Sequence, residues 1–149
     1  MPDPVTVSVE VARPRQQAFD YVDVVANQEV WRKNLYKDWR FEGPKRGVGA
    51  IARATPDAPT SNERIEIKVV ASRAPEEIVE EIESAHGKRQ TTETYRFTEV
   101  GEGRTRIELE VAWGTVPKSE RIVPFVSRAF MARAQGKSLK LLAAQLEKG

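Results

Sequence analysis

Polar and hydrophobic residues alternate at the start of the chain, whereas apolar residues recur at helical spacing at its end. Val5, Val7, Val9 and Val11 are separated by Thr6, Ser8 and Glu10, the two-residue period of a strand with one buried face. From Ser119 to Glu147 the stripe Ile122, Phe125, Val126, Phe130, Ala134, Leu141, Leu142 and Leu146 predicts one long amphipathic helix, roughly 40 Å at ~1.5 Å per residue. Such a helix needs a large concave partner for its apolar face, and a curved antiparallel sheet supplies one.

Between these ends the pattern is of short elements. Pro14 stands at the start of a short helix whose apolar stripe is Ala18, Phe19 and Val22, a position where proline's missing N–H is harmless. A second short helix is expected from Asn27 to Leu35, carrying Trp31. Strands follow at Trp39 to Phe41, through Ile51, and at Ile65, Ile67 and Val69. They are punctuated by the turn residues Gly43, Pro44, Gly47 and Gly49 and by a loop at Pro56 and Pro59.

Residues 74–83 satisfy two opposing rules. Pro75 at the start, glutamates in the first turn, Ile78 and Ile82 four apart and Gly87 as a stop favour a helix. Hairpin register favours a strand. A tight turn centred on His86-Gly87 sets Ile78 opposite Tyr95, Ile82 opposite Thr91 and Glu77 opposite Arg96. A three-residue loop Gly101-Glu102-Gly103, with Gly103 in the left-handed region, then sets Phe97 against Ile107, Tyr95 against Leu109 and Arg96 against Glu108. Both hairpins put apolar side chains on one face and a Glu77, Arg96, Glu108 row on the other, which a one-residue slip would reverse. The strand is the better reading.

The same register yields the sharpest chemistry in the chain. Glu80 faces Glu93 on the inner, apolar side of the sheet. Like charges opposite one another are unfavourable, so in a poorly hydrated interior one carboxylate takes up a proton. Such a pair can serve as acid and base, or can bind a ligand hydroxyl or amine.

Composition bounds the remaining choices. The 149 residues suit a single domain spanning 1–149, with 40% hydrophobic and 31% charged residues, ordinary values for a globular protein. The opening MPDPVTVSVEV has no basic segment followed by a signal-like core, and no apolar run approaches a membrane span, so a cytoplasmic protein is expected. The net charge of +2 is too small to argue for a nucleic-acid partner. Charge is unevenly placed, however. Residues 31–53 hold seven bases against Asp38 and Glu42, and residues 76–83 hold five glutamates. The basic segment reads as solvated surface, or as a rim that attracts an anionic ligand or, transiently, an acidic membrane surface.

Other constellations are weak. With no cysteine and one histidine, His86, placed in a turn, neither a thiolate nucleophile nor a metal site is expected, and no cofactor is implied. Gly43 to Gly49 lacks the Lys-Ser/Thr of a phosphate loop, and Pro44 removes a backbone donor. Trp31, Trp39, Tyr95 and Trp113 favour a large apolar interior.

The order strand, two short helices, six antiparallel strands and long C-terminal helix resembles the helix-grip fold of the START-like (SRPBCC) superfamily, in its bacterial polyketide cyclase/dehydrase and lipid-transport branch. The residues that carry the resemblance are Val5 to Val11 with the Pro14 helix, Trp31, Glu42-Gly43-Pro44 with Gly47-Val48-Gly49, Tyr95-Arg96-Phe97, Gly103-Arg104-Thr105-Arg106-Ile107, and Leu139, Leu142, Leu146 and Glu147. The resemblance implies an α+β fold in which about seven antiparallel strands wrap around the last helix, enclosing a cavity that opens near the short helices and the Thr55 to Asn62 loop.

The expected function is binding of a hydrophobic small molecule such as a lipid, polyketide or quinone, with Trp31, Tyr95, Phe97, Leu109, Val111 and Trp113 as wall residues. Alternatives are a cyclase or dehydratase using Glu80 and Glu93, and a protein-interaction module using the basic segment Arg32 to Arg46. A closed apolar cavity favours the first, a buried carboxylate pair beside a roomy pocket the second, and a filled core with an exposed Trp31 or Trp39 patch the third.

Overall fold

A computed structural model of the chain describes residues 4–57, 64–84, 89–115 and 124–148. The alternating valines form strand β1 (Val5–Val11). Pro14 then caps helix α1 (Arg15–Asp23), which buries Ala18, Phe19 and Val22. A 3-10 turn (Val25–Asn27) leads into helix α2 (Gln28–Trp31). Six strands follow: β2 (Tyr36–Glu42), β3 (Ile51–Pro56), β4 (Ile65–Arg73), β5 (Glu77–Ser84), β6 (Arg89–Gly101) and β7 (Arg104–Thr115). Helix α3 (Pro124–Glu147) closes the chain.

The seven strands form one antiparallel sheet in the order β1-β7-β6-β5-β4-β3-β2. Residues 77–84 are a strand, and the hairpin register is the one read from the sequence, with Ile78 opposite Tyr95, Glu80 opposite Glu93 and Ile82 opposite Thr91. The cross-strand ladder and the burial of Ile78 and Ile82 override the local helix signals of this segment. On the outer face the charge row forms as expected, with Arg96 3.5 Å from Glu77, 3.6 Å from Glu108 and 2.8 Å from Glu110. The His86-Gly87 turn itself, and Pro59 in the loop before β4, lie outside the described residues.

Three details differ from expectation. The β6–β7 connection pairs Gly101 with Arg104, with an irregularity between Glu99 and Gly101. It is therefore a tighter turn with a bulge, which leaves Thr91 to Glu99 in the expected register; a second irregularity, between Gln90 and Thr91, sets Gln90 opposite Thr115 at the far end of the ladder. Gly103 adopts φ +67°, as the turn requires. Helix α2 stops at Trp31 instead of Leu35, because Arg32 leaves helical geometry with φ −109° and ψ 21°. Its carbonyl then accepts from Leu35 and Tyr36 N–H, and β2 begins early, at Tyr36.

The third difference is the phase of the last helix. Among the described residues, the side chains that α3 buries are Gln135, Ser138, Leu139, Leu142, Ala143 and Leu146, a clean three-and-four spacing. Of the expected stripe, Leu142 and Leu146 belong to it, Ala134 and Leu141 are half-buried, and Phe130 is 73% exposed. Ile122 and the side chains of Phe125 and Val126 lie outside the described residues, as do residues 119–123 of the expected helix. Helix α3 rests mainly on β1 and α2, and Glu147 Oε2 accepts from the Ala12 N–H at 2.7 Å. No helix among the described residues is long and apolar enough to cross a membrane.

The turn between β2 and β3 depends on glycine. Gly43 has φ +80°, and a Cβ there would lie 2.6 Å from the Gly49 carbonyl oxygen, well inside van der Waals contact. Only glycine satisfies both conditions.

Candidate functional site

Four elements converge on one buried polar cluster. Gln28, Trp31 and Arg32 occupy one face of α2 and its end, at spacing i, i+3, i+4. Glu80 and Glu93 point inward from β5 and β6, and Gln135 from α3. Gln28, Trp31, Arg32, Glu80, Glu93 and Gln135 are all at most 2% exposed.

Arg32 is the hub. Its Nη2 lies 2.9 Å from Glu93 Oε1, and the same nitrogen donates to Glu93 Oε2 at 3.1 Å and to Gln135 Oε1 at 2.9 Å. Its Nη1 donates to Gln28 Oε1 at 3.1 Å and lies 4.0 Å from Glu80 Oε1. Gln28 Nε2 in turn donates to Glu80 Oε2 at 2.7 Å. The guanidinium carbon sits 5.5 Å from the Trp31 ring centre and 5.7 Å from that of Tyr36. The Trp31 and Tyr95 rings meet edge to face at 5.9 Å. Tyr95 Oη donates toward Glu93 Oε1 at 3.5 Å.

This arrangement differentiates the two carboxyl groups that the register brings together. Burial pushes the Glu80 carboxyl up to about 8, with a smaller upward effect from Glu93, against the opposing pull of Arg32 and the Gln28 hydrogen bond. Glu80 is therefore largely uncharged at neutral pH, while Glu93 takes the direct ion pair. Burial works against the charge of Arg32, but Glu93, then Tyr95, Tyr36 and Glu80, together hold its pKa above the ordinary value. Burial also pushes up the Tyr95 and Tyr36 phenols, the latter to about 12.

Hydrogen-bonding capacity in the cluster is not exhausted. Trp31 Nε1, Arg32 Nε and Glu80 Oε1 are buried without a hydrogen-bond partner. Since Glu80 Oε2 accepts from Gln28, Oε1 is the oxygen placed to carry the proton. The cluster thus offers two unused N–H donors and one unused carboxyl oxygen.

The expected site residues divide along the sheet. Tyr95 and Leu109 have no accessible surface, and Phe97 and Val111 have 2% and 1%. Phe97 packs edge to face on Phe19 at 5.4 Å. These four, with Trp31, are closed packing in this structure. Burial then falls toward the end of the sheet where β6 begins and β7 ends: Trp113 and its partner Thr91 are half-buried. The inward face of α3 behaves the same way, from enclosed Ser138 and Gln135 to half-buried Ala132, Met131 and Arg128. The polar cluster lies at this boundary, with Gln135 touching Met131 Sδ at 3.4 Å. Tyr36, at the same end and opposite Pro56, is also half-buried. Residues 58–62 of the loop expected at the opening lie outside the described residues.

Arg32, Gln28 and Gln135 were missed by sequence reasoning. Arg32 counts there toward a solvated basic segment; the structure corrects this, since the side chain is enclosed. Lys33, Lys37, Arg40, Lys45 and Arg46 are exposed as expected, and two bases of the segment are ion-paired, Arg53 with Glu42 and Glu66 and Lys37 at 3.9 Å from Asp57. The one available signal was the spacing of Gln28, Trp31 and Arg32. Of the exposed tryptophan patch expected of an interaction module, Trp31 is enclosed and Trp39 is half-buried, stacked at 6.0 Å on the exposed Phe41 of edge strand β2.

A family model described as polyketide cyclase/dehydrase and lipid transport matches residues 4–148. Among solved structures, an aromatase/cyclase from Streptomyces sp. R1128 superposes with TM-score 0.75 at 13% identity, covering 97% of this chain and 93% of that one. Truncated norcoclaurine synthase from Thalictrum flavum gives 0.74 at 12% identity, with 99% and 94% coverage. A START superfamily protein from Mycobacterium smegmatis gives 0.73 at 13% identity, with 99% of both chains covered. No curated protein sequence matches the chain significantly. At these identities the structural likeness shows the fold alone.

Proposed function

The chain belongs to the polyketide cyclase/dehydrase and lipid transport family, and on that premise we propose that it binds a hydrophobic small molecule at the open end of the helix–sheet interface. The apolar body of the ligand rests on Trp113, Met131 and neighbouring half-buried side chains. Its polar group reaches the Arg32 cluster.

The observation that carries this reading is the set of three buried polar atoms without partners, Trp31 Nε1, Arg32 Nε and Glu80 Oε1. A buried polar group left unpaired costs ~1–3 kcal/mol, and a buried ion pair is a weak device for stability. A cluster that bears both penalties suits ligand recognition better than folding. With Arg32 balanced by Glu93 and Glu80 uncharged, the cluster has no net charge. It favours a neutral oxygen, a carbonyl or hydroxyl, over a carboxylate.

Native mass spectrometry of freshly purified protein, followed by thermal-shift and tryptophan-fluorescence titrations with apolar carbonyl compounds, tests the reading. A co-purified small molecule, or a melting temperature that rises with occupancy, is expected. If no compound in a broad apolar library shifts the melting curve and the protein carries no bound molecule, the ligand reading is wrong and an interaction module takes its place.

A second reading has its own support. An uncharged Glu80 beside an ion-paired Glu93 is the asymmetry that a proton donor and acceptor require, as in a cyclase or dehydratase. Glu80→Gln and Glu93→Gln separate the two: a carrier keeps its affinity within roughly tenfold, about 1.4 kcal/mol, whereas an acid–base enzyme loses turnover by ~10² or more.

A further inference from the structure

The outward face of α3 is built of cations. Opposite the buried stripe lie Phe130, Arg133, Lys137, Lys140, Ala144 and Lys148, all exposed, in a row ~27 Å long at ~1.5 Å per residue. No ion-pair partner occupies Arg133, Lys137 or Lys140 among the described residues. Arg133 and Lys137 stand at i, i+4, and Lys137 and Lys140 at i, i+3, spacings at which like charges repel and weaken a helix. The acids within α2 and α3 themselves are Glu29 and Glu147, and the Glu147 carboxylate is engaged by the Ala12 N–H.

The row is not purely polar. Phe130 is 73% exposed at one end. At the other end a shallow groove of about 200 Å³ between α2 and α3 is lined by Val30, Lys33, Leu141, Ala144, Gln145 and Lys148. Val30 is 44% exposed, so the groove combines apolar side chains, Val30, Leu141 and Ala144, with the two lysines Lys33 and Lys148. A straight row of free cations with apolar groups at both ends complements a plane of anionic head groups over acyl chains.

We propose that the outward face of α3, with Lys33 and Val30 of α2, docks on an anionic lipid bilayer surface. The cations lie along the head groups while Phe130 enters the interface. The face lies outside the Arg32 cluster, so this proposal stands or falls independently of the ligand reading.

Co-sedimentation with vesicles tests it, comparing pure phosphatidylcholine with phosphatidylcholine containing phosphatidylserine. The full chain should bind the phosphatidylserine vesicles at low ionic strength and release them at high salt. The triple variant Arg133→Glu, Lys137→Glu, Lys140→Glu should bind at least ~10-fold more weakly, and Phe130→Ser should bind severalfold more weakly. The triple variant Arg40→Glu, Lys45→Glu, Lys68→Glu makes the same change in net charge at exposed positions in or beside β2 and β4, and should bind as the wild type does. Unchanged melting temperatures would show that each variant is folded. Failure of the wild type to sediment with anionic vesicles overturns the proposal, as does equal weakening by the two triple variants. Retention on immobilised polyglutamate in the first case would assign the face to an acidic protein.

Discussion

Arg32 and Glu93, 61 residues apart in the chain, form a 2.9 Å ion pair with both side chains closed to solvent. The pair ties the end of α2 to the middle of β6, and through Gln135 to α3. It thereby fixes three elements that meet where burial of the described residues falls off toward Trp113 and Met131. It also explains why α2 ends where it does, since Arg32 turns inward as the chain leaves the helix.

Removing one member of this pair leaves the other charge buried and uncompensated. Arg32→Ala should therefore destabilise the protein by ~3–5 kcal/mol, read as a lower urea midpoint. The double variant Arg32→Met, Glu93→Gln should recover a substantial part of that loss. Equal destabilisation by the single and double variants would show that packing, and not charge, dominates at this position.

Glu80 makes stability fall as pH rises. Its carboxyl is pushed from an ordinary value near 4.5 up to about 8 in the folded state, so between those values the folded state holds a proton that the unfolded chain has lost. This contribution to stability is fully present below the unfolded pKa and is lost as pH rises through the folded one. The melting temperature should decline between about pH 5 and pH 8 and then level. Glu80→Gln should flatten that segment, and an unchanged profile in the variant would assign the decline to other groups.

The phase of α3 separates two large apolar side chains, Leu142 and Phe130, by environment. Leu142 has no accessible surface, and Leu142→Ala should cost ~2–5 kcal/mol. Phe130→Ala, at a position 73% exposed, should fall within ~0.5 kcal/mol of the wild type. Chemical denaturation of both variants checks the stripe directly, since a reversed order would rotate the helix.

Gly43 and Gly103 share a positive φ but not a neighbourhood. At Gly103 a Cβ meets nothing within 4 Å, so Gly103→Ala should cost only the backbone term, ~1–2 kcal/mol. At Gly43 the Cβ would also collide with the Gly49 carbonyl at 2.6 Å, so Gly43→Ala should cost clearly more. Thermal melts of the two variants give the comparison.

The strand register and the meeting of Glu80 with Glu93 were legible in the sequence, because a period of two residues and a glycine turn leave few ways to pair neighbouring strands. The conflict over residues 76–83 was decided by that same arithmetic, applied to two hairpins at once. The phase of α3 was not legible in the same way: with Phe130, Ala134 and Leu141 spaced as well as Leu139, Leu142 and Leu146, the helix carries more apolar positions than one face can bury. Which of them is buried depends on where β1 and α2 lie. Arg32 shows the limit most clearly. A lysine- and arginine-rich stretch reads as surface because an isolated charge belongs in water, and only partners 61 and 103 residues away, Glu93 and Gln135, make its burial tolerable. Local periodicity set the sheet. The tertiary contacts of a single charge, which no local pattern encodes, decided where the chemistry of this protein sits.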